Sequence, residues 1–192
     1  MKKKQPANYL FIFVLLLILF LAPLVLAVIL YKKNPLWLHH QTVNKGYIIP
    51  SNFNLQQLKL TPVKTRLRSF KGSWLLFYLT ESPCRPLCQK NLHTMRQITL
   101  ALGKNRYRVK YGLILVNEKL FRNHPFIDKD TDLLNYSIAK PELNKFFLIK
   151  HPADGYYLAD PRGKIILYYS KDIAGEDIYQ DLTRLLTIST TG

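Results

Sequence analysis

The sequence predicts an α/β sandwich with a mixed central sheet, preceded by one transmembrane helix. Three observations predict it. Leu10 to Leu30 is an uninterrupted apolar run; Ser73 to Thr80 is an almost wholly apolar stretch of strand length followed at once by a helix-period segment; and two more apolar stretches flank Asp160-Pro-Arg-Gly163. At 192 residues and 48% hydrophobic content, the chain can bury one core beside an appendage. With 21% charged and 12% aromatic residues it is not a disordered chain. Two cysteines exclude a four-cysteine zinc site, a cysteine-ligated iron–sulfur cluster and a multi-bridge scaffold. The eight glycines form no G-x-G, P-loop or G-x-S-x-G motif, which removes the nucleotide-dependent and α/β-hydrolase readings.

The 21 residues from Leu10 to Leu30 carry no charge, amide or hydroxyl group. As a helix they run about 31 Å, against a hydrocarbon core of about 30 Å. Tyr9 and Tyr31 stand at the two interfaces, with Lys2, Lys3, Lys4 and then Lys32, Lys33 outside them. A cleaved signal peptide competes, because Val25-Leu26-Ala27 offers small residues, but its apolar core is normally about 7 to 15 residues and this run is longer. Length favours an uncleaved anchor. The lysine bias predicts a single-pass inner-membrane protein with a cytoplasmic amino terminus and a periplasmic domain, where paired thiols can be oxidised. The expected organisation is an anchor at 1–33, an irregular tether at 34–61 and a domain at 62–192.

Ser73 to Thr80 suits a central strand covered on both faces. From Pro86 the pattern turns helical: Leu87, Leu92, Met95, Ile98 and Leu102 share a face, and Gly103 ends it. Tyr111 to Val116 reads as a second strand, and a short helix is expected over Asp132 to Ala139. Leu143 to Ile149 is ambiguous between helix and strand. Asp160-Pro-Arg-Gly163 is a turn tetrad joining two strands, and a last helix begins near Gly175 with Ile178, Leu182, Leu185 and Leu186 on one face.

The domain is basic. Residues 34–192 hold 23 Lys and Arg against 12 acids, a net +11, with the densest cluster from Lys104 to Lys110. In an anchored external domain this reads as a surface toward anionic headgroups or an acidic protein, and nucleic acid is not the expected partner.

Cys84 and Cys88 lie four residues apart at the strand-to-helix junction. On one helix their Cβ atoms would be about 5–6 Å apart, slightly wider than the roughly 3.5–4.5 Å of a disulfide, and a bridge could close with Cys84 in the non-helical cap. A strained bridge of that kind suits cycling more than stapling, and a helix amino terminus stabilises a thiolate at Cys84. Two thiolates at this spacing also suit Cu(I). An inert one-turn clip is the plain structural alternative.

These residues resemble the Sco/SenC group of thioredoxin-like, membrane-anchored cytochrome c oxidase assembly proteins. The resemblance runs over roughly residues 70 to 187 and rests on Lys71-Gly-Ser-Trp74 leading the strand, the C-x-x-x-C at Cys84 and Cys88 followed by Leu92, and the Tyr-Leu-Ala-Asp-Pro-Arg-Gly hairpin with its final helix. It departs from the family where Arg85 and Gln89 replace prolines after the cysteines, and where Leu113-Ile-Leu-Val-Asn117 lacks an Asp-Pro-x-Arg-Asp. The resemblance implies a thioredoxin-like sandwich in which Cys84, Cys88 and a distal histidine hold copper for the oxidase subunit carrying the binuclear copper site. His151 is the nearest candidate for that histidine, and His151-Pro152 also occupies the sequence position of the cis-proline of many thioredoxin folds; the residues alone leave His151 as ligand, neighbour of a ligand or ordinary loop residue. The competing chemistry is thiol–disulfide exchange by the same cysteines without copper. His93 falls on another helix face and reads as a surface residue; His124 is a backup ligand only, and His39 and His40 are assigned no role.

Overall fold

The computed structural model of the chain describes residues 9–33, 43–49, 54–63, 69–117, 119, 130–147 and 154–189. Contacts divide it at Val43 into an amino-terminal unit and a unit from Asn44 onward. The first unit is a helix, α1 (Tyr9–Lys33). From Phe11 to Ile29 it is long and apolar enough to cross a membrane, and its described side chains are exposed within the chain. An all-round apolar surface of this length is what lipid would cover.

The second unit is built on seven strands: β1 (Tyr47–Ile48), β2 (Thr61–Pro62), β3 (Trp74–Thr80), β4 (Val109–Leu115), β5 (Leu134–Ser137), β6 (Gly155–Ala159) and β7 (Ile165–Ser170). Their order is β1-β7-β6-β3-β4-β5-β2. β3, β4 and β5 run parallel to one another; β6 pairs antiparallel with β3, and β7 pairs antiparallel with β6 and so runs in the direction of β3 again, which makes the expected mixed sheet. All seven β3 residues are buried. Trp74, Leu76 and Tyr78 join the core shared with α2 (Pro86–Ala101) and α4 (Gly175–Ile188), while Leu75, Phe77 and Leu79 join a second core on the other face. The second core is closed by Leu143 of α3 (Lys140–Phe147) and by Ile49, Leu55 and Leu58. The two-residue period of the strand thus feeds two layers at once.

The hairpin forms where the tetrad places it. Asp160 Oδ1 accepts from Arg162 N–H at 2.9 Å and Lys164 N–H at 2.8 Å, and Gly163 adopts φ 85°, a left-handed conformation that favours glycine.

Four expectations are corrected. The region around Asp132 to Ala139 forms β5, because its partners are supplied by β4 and β2, which no local pattern encodes. β4 begins at Val109, two residues before the expected Tyr111, since Val109 pairs with Trp74. Leu87 is 43% exposed, and Cys88 takes the first buried place on the α2 stripe that continues through Leu92 and Met95. Finally, residues 34–61 are not an irregular tether throughout. β1 extends the sheet beyond β7, and Ile49, Leu55 and Leu58 are buried core residues.

Candidate functional site

β3 ends at Thr80, and the chain turns through residues 81–85 into α2. The turn is held locally: Ser82 N–H donates to Thr80 Oγ1 at 3.2 Å, and Arg85 N–H to the Pro83 carbonyl at 2.7 Å. Arg85 is the amino-terminal cap residue, with extended backbone (φ −76°, ψ 177°), and Pro86 opens the helix, where its missing N–H costs nothing. Cys84 therefore lies outside the helix and Cys88 in its first turn. The rise of about 6 Å that would separate them on one helix, at 1.5 Å per residue, does not apply. Their Cα atoms are 5.1 Å apart and the sulfurs are joined in a disulfide, a separation within the ordinary range for such a bridge.

The bridge is buried, with Cys84 1% and Cys88 6% exposed, yet the residues around it are not. Pro83, Arg85, Pro86 and Leu87 are all exposed and form a rim on the chain segment that carries the sulfurs.

Below the rim, α2 is fastened to the sheet by polar contacts. Asn91, one turn past Cys88, donates through Nδ2 to the Lys171 carbonyl at 3.2 Å, and its side chain also lies beside Tyr78. Burial pushes the Tyr78 phenol above its usual range; the Asn91 contact opposes that shift, and the Asp154 and Asp172 carboxylates add to it. Tyr156 packs edge-on against Tyr78 at 5.2 Å between ring centroids, and its phenol is raised chiefly by burial. Because β3 and β6 are antiparallel with Leu79 opposite Gly155, Asp154 stands at the same end of the sheet as the turn that carries Cys84. Its Oδ1 is buried with no hydrogen-bond partner among the described residues. Sequence reading missed Asn91 and Asp154, for each owes its place to a partner about 80 residues away.

His151 and Pro152 lie outside the described residues, as do His124, His39 and His40. His93 is exposed, its ring 3.5 Å from the Gln97 side-chain nitrogen, in agreement with the surface position expected of it. Among the described residues there is no group of three or more His, Cys, Asp or Glu able to hold a metal ion. The two sulfurs, once reduced, are soft donors suited to Cu(I).

Residues 74–189 match a family model described as the transmembrane-like, thioredoxin-like, C-terminal domain. The chain belongs to this family. Comparison with curated protein sequences gives no match. Among solved structures, copper-bound yeast Sco1 is similar to this thioredoxin-like domain with a TM-score of 0.53 at 11% identity, covering 77% of this chain and 91% of that one. BsSco, a Sco-family cytochrome c oxidase assembly protein described as having a disulfide switch, gives 0.52 at 16% identity, covering 77% and 98%. A putative protein disulfide isomerase from Bacteroides thetaiotaomicron gives 0.51 at 17% identity, covering 74% and 89%. At these identities the likeness is one of fold, and the expected resemblance to Sco proteins holds at that level. The thioredoxin-like domain thus carries its disulfide where the central strand turns into the first sandwich helix.

Proposed function

We propose that this is a membrane-anchored, Sco-like assembly protein in which Cys84 and Cys88 alternate between disulfide and dithiol, the dithiol carrying Cu(I) to the oxidase subunit with the binuclear copper site. The single observation that carries the reading is the pairing of the two sulfurs at the strand-to-helix turn of a thioredoxin-like domain. Copper is cargo here: two thiolates bind it, and His151, three residues before Asp154 in the chain, is the proposed third donor. α1 anchors the protein in the inner membrane, with its amino terminus cytoplasmic and the domain in the periplasm. Copper bound to yeast Sco1 supports the proposal through the shared fold.

Thiol–disulfide exchange is the second reading, favoured by the bridge itself and by the fold shared with a putative disulfide isomerase. In it the Cys84 thiolate attacks a client disulfide, one client thiolate leaves, and Cys88 attacks the Cys84 sulfur to release the second. The client is reduced by two electrons and the pair is oxidised to the bridge.

Anaerobic titration of the reduced full chain with Cu(I) against a competing chelator separates the two. The copper reading expects one equivalent held tightly, lost in Cys84→Ser and weakened in His151→Ala. Absence of competitive binding, together with a mixed disulfide trapped through Cys84 in Cys88→Ser, would establish exchange in its place.

A further inference from the structure

The basic cluster from Lys104 to Lys110 divides into two jobs. Arg108 turns toward α4, donating from its guanidinium to the Leu186 carbonyl at 2.9 Å and the Ser189 carbonyl at 2.8 Å. It satisfies carbonyls that the end of a helix leaves without partners. Arg106 and Lys110 instead border an open groove of about 330 Å³ between α2, the turn at residues 103–108 and β4. From α2 the groove receives Arg96 and Leu100, from the turn Tyr107, and from the stretch before β5 Asp132. Three cations and one acid line it. Asp130, the nearby second acid, is committed to the Tyr111 hydroxyl at 2.8 and 3.0 Å, and Lys110 Nζ also donates to the Ser69 carbonyl.

Two exposed apolar groups stand beside these cations. The Tyr107 side chain is 75% exposed and Leu100 48%. An exposed aromatic ring and an aliphatic side chain next to arginines is the composition of a bilayer interface, where the ring sits at headgroup depth and the cations meet phosphates. The groove is also tied to the point where the chain enters the domain. Lys45 and Gly46, the first residues of the second unit after Asn44, are hydrogen-bonded to Asp181 on α4, and Arg108 is fixed five to eight residues farther along the same segment. That is about 8–12 Å of helix rise. α4 and the residue after it thus hold both Lys45–Gly46 and the turn bearing Arg106 and Tyr107.

We infer that the groove formed by Arg96, Arg106, Lys110 and Tyr107 binds the phosphate of an anionic phospholipid headgroup. The cations compensate the phosphate, while Tyr107 and Leu100 enter the boundary beside it. This contact lies at the amino-terminal end of β4, whereas the disulfide follows the carboxy-terminal end of the parallel strand β3. Docking by the groove therefore leaves the sulfur-bearing end of the sheet turned to the other side.

The test reconstitutes the full chain in nanodiscs of phosphatidylcholine alone or mixed with phosphatidylglycerol, and follows hydrogen exchange in the peptide covering residues 103–111. Exchange is expected to slow about tenfold in the anionic discs, the scale of one to two cations at a charged surface, and to recover in high salt. Arg96→Glu/Arg106→Glu should abolish the protection. Lys59→Glu/Arg162→Glu, which removes the same charge at exposed positions outside the groove, should retain it. Equal loss in both double variants would mean that only the overall charge acts, and would overturn the site. Equal protection in neutral discs from added glycerol phosphate or polyglutamate would overturn the lipid assignment in favour of a free phosphate or an acidic protein. Unchanged exchange in anionic discs would overturn the proposal altogether.

Discussion

Replacing Asp181 with alanine should release the entry segment and cost the domain about 3 kcal/mol. The carboxylate is 1% exposed on α4. Its Oδ2 accepts from Lys45 N–H at 2.8 Å, Gly46 N–H at 2.9 Å and the Tyr169 hydroxyl at 3.2 Å, and Oδ1 accepts again from Lys45 at 3.1 Å. Lys45 is exposed, so water replaces its partner. Gly46 and Tyr169 are buried and lose theirs. Hydrogen bonds to a charged group contribute roughly 1.5–3 kcal/mol each; relief of carboxylate burial works the other way, which leaves the net of about 3 kcal/mol. For a unit of this size that lowers Tm by roughly 6–12 °C. Asp181→Asn, which keeps the volume and one acceptor oxygen, should fall between alanine and wild type. The assay is a denaturation midpoint for the full chain in detergent, with hydrogen exchange read over residues 45–49. A loss below about 0.5 kcal/mol, the level of an ordinary surface change, with exchange unaltered, would refute the reasoning.

Gly155→Ala should destabilise by about 1–3 kcal/mol, because the added Cβ would lie 2.5 Å from the Tyr168 ring and 2.7 Å from the Tyr169 carbonyl oxygen, which the sheet does not let move; a neutral denaturation midpoint would contradict this packing. Burial raises the phenols of Tyr111, Tyr156, Tyr157 and Tyr169 above their ordinary value of about 10. Since the unfolded chain loses these protons first, their contribution is complete below pH about 10 and declines above it. Urea midpoints should therefore hold steady between pH 8 and 10 with respect to these groups and fall beyond it, with phenolate absorbance rising only on unfolding; early ionisation of all four would contradict their burial. With both sulfurs at most 6% exposed, a water-soluble phosphine should reduce the Cys84–Cys88 bridge at least about tenfold more slowly in the folded protein than in urea. Equal rates, followed by thiol titration, would show that the sulfurs are open to solvent.

The elements legible from residues alone are those whose signals are local. The uncharged run of α1, the apolar strand from Trp74, Pro86 opening α2, the Asp160-Pro-Arg-Gly163 turn and the apolar stripe of α4 each carry their period or punctuation within a few residues. The strand-to-helix position of Cys84 and Cys88 follows from the same signals. Other features have no such trace. Leu134–Ser137 becomes a strand only because β4 and β2 flank it, and Tyr47–Ile48 only because β7 offers an edge. An amphipathic period also leaves the edge of the buried face undecided, so Leu87 turns outward while Cys88 turns in.

What the sequence by itself determined is the apolar segment long enough to cross a membrane, the class of fold, the two sulfurs and their spacing, because each depends on neighbours along the chain. Only the tertiary structure decided that Asp154 shares the sulfurs' end of the sheet, that Arg108 caps α4 while Arg106 faces the groove, and that Asp181 grips Lys45 and Gly46 across 136 and 135 residues. The physical reason is that these placements join residues far apart along the sequence: the buried Asp181 carboxylate and the carbonyls at the end of α4 meet their donors only on folding.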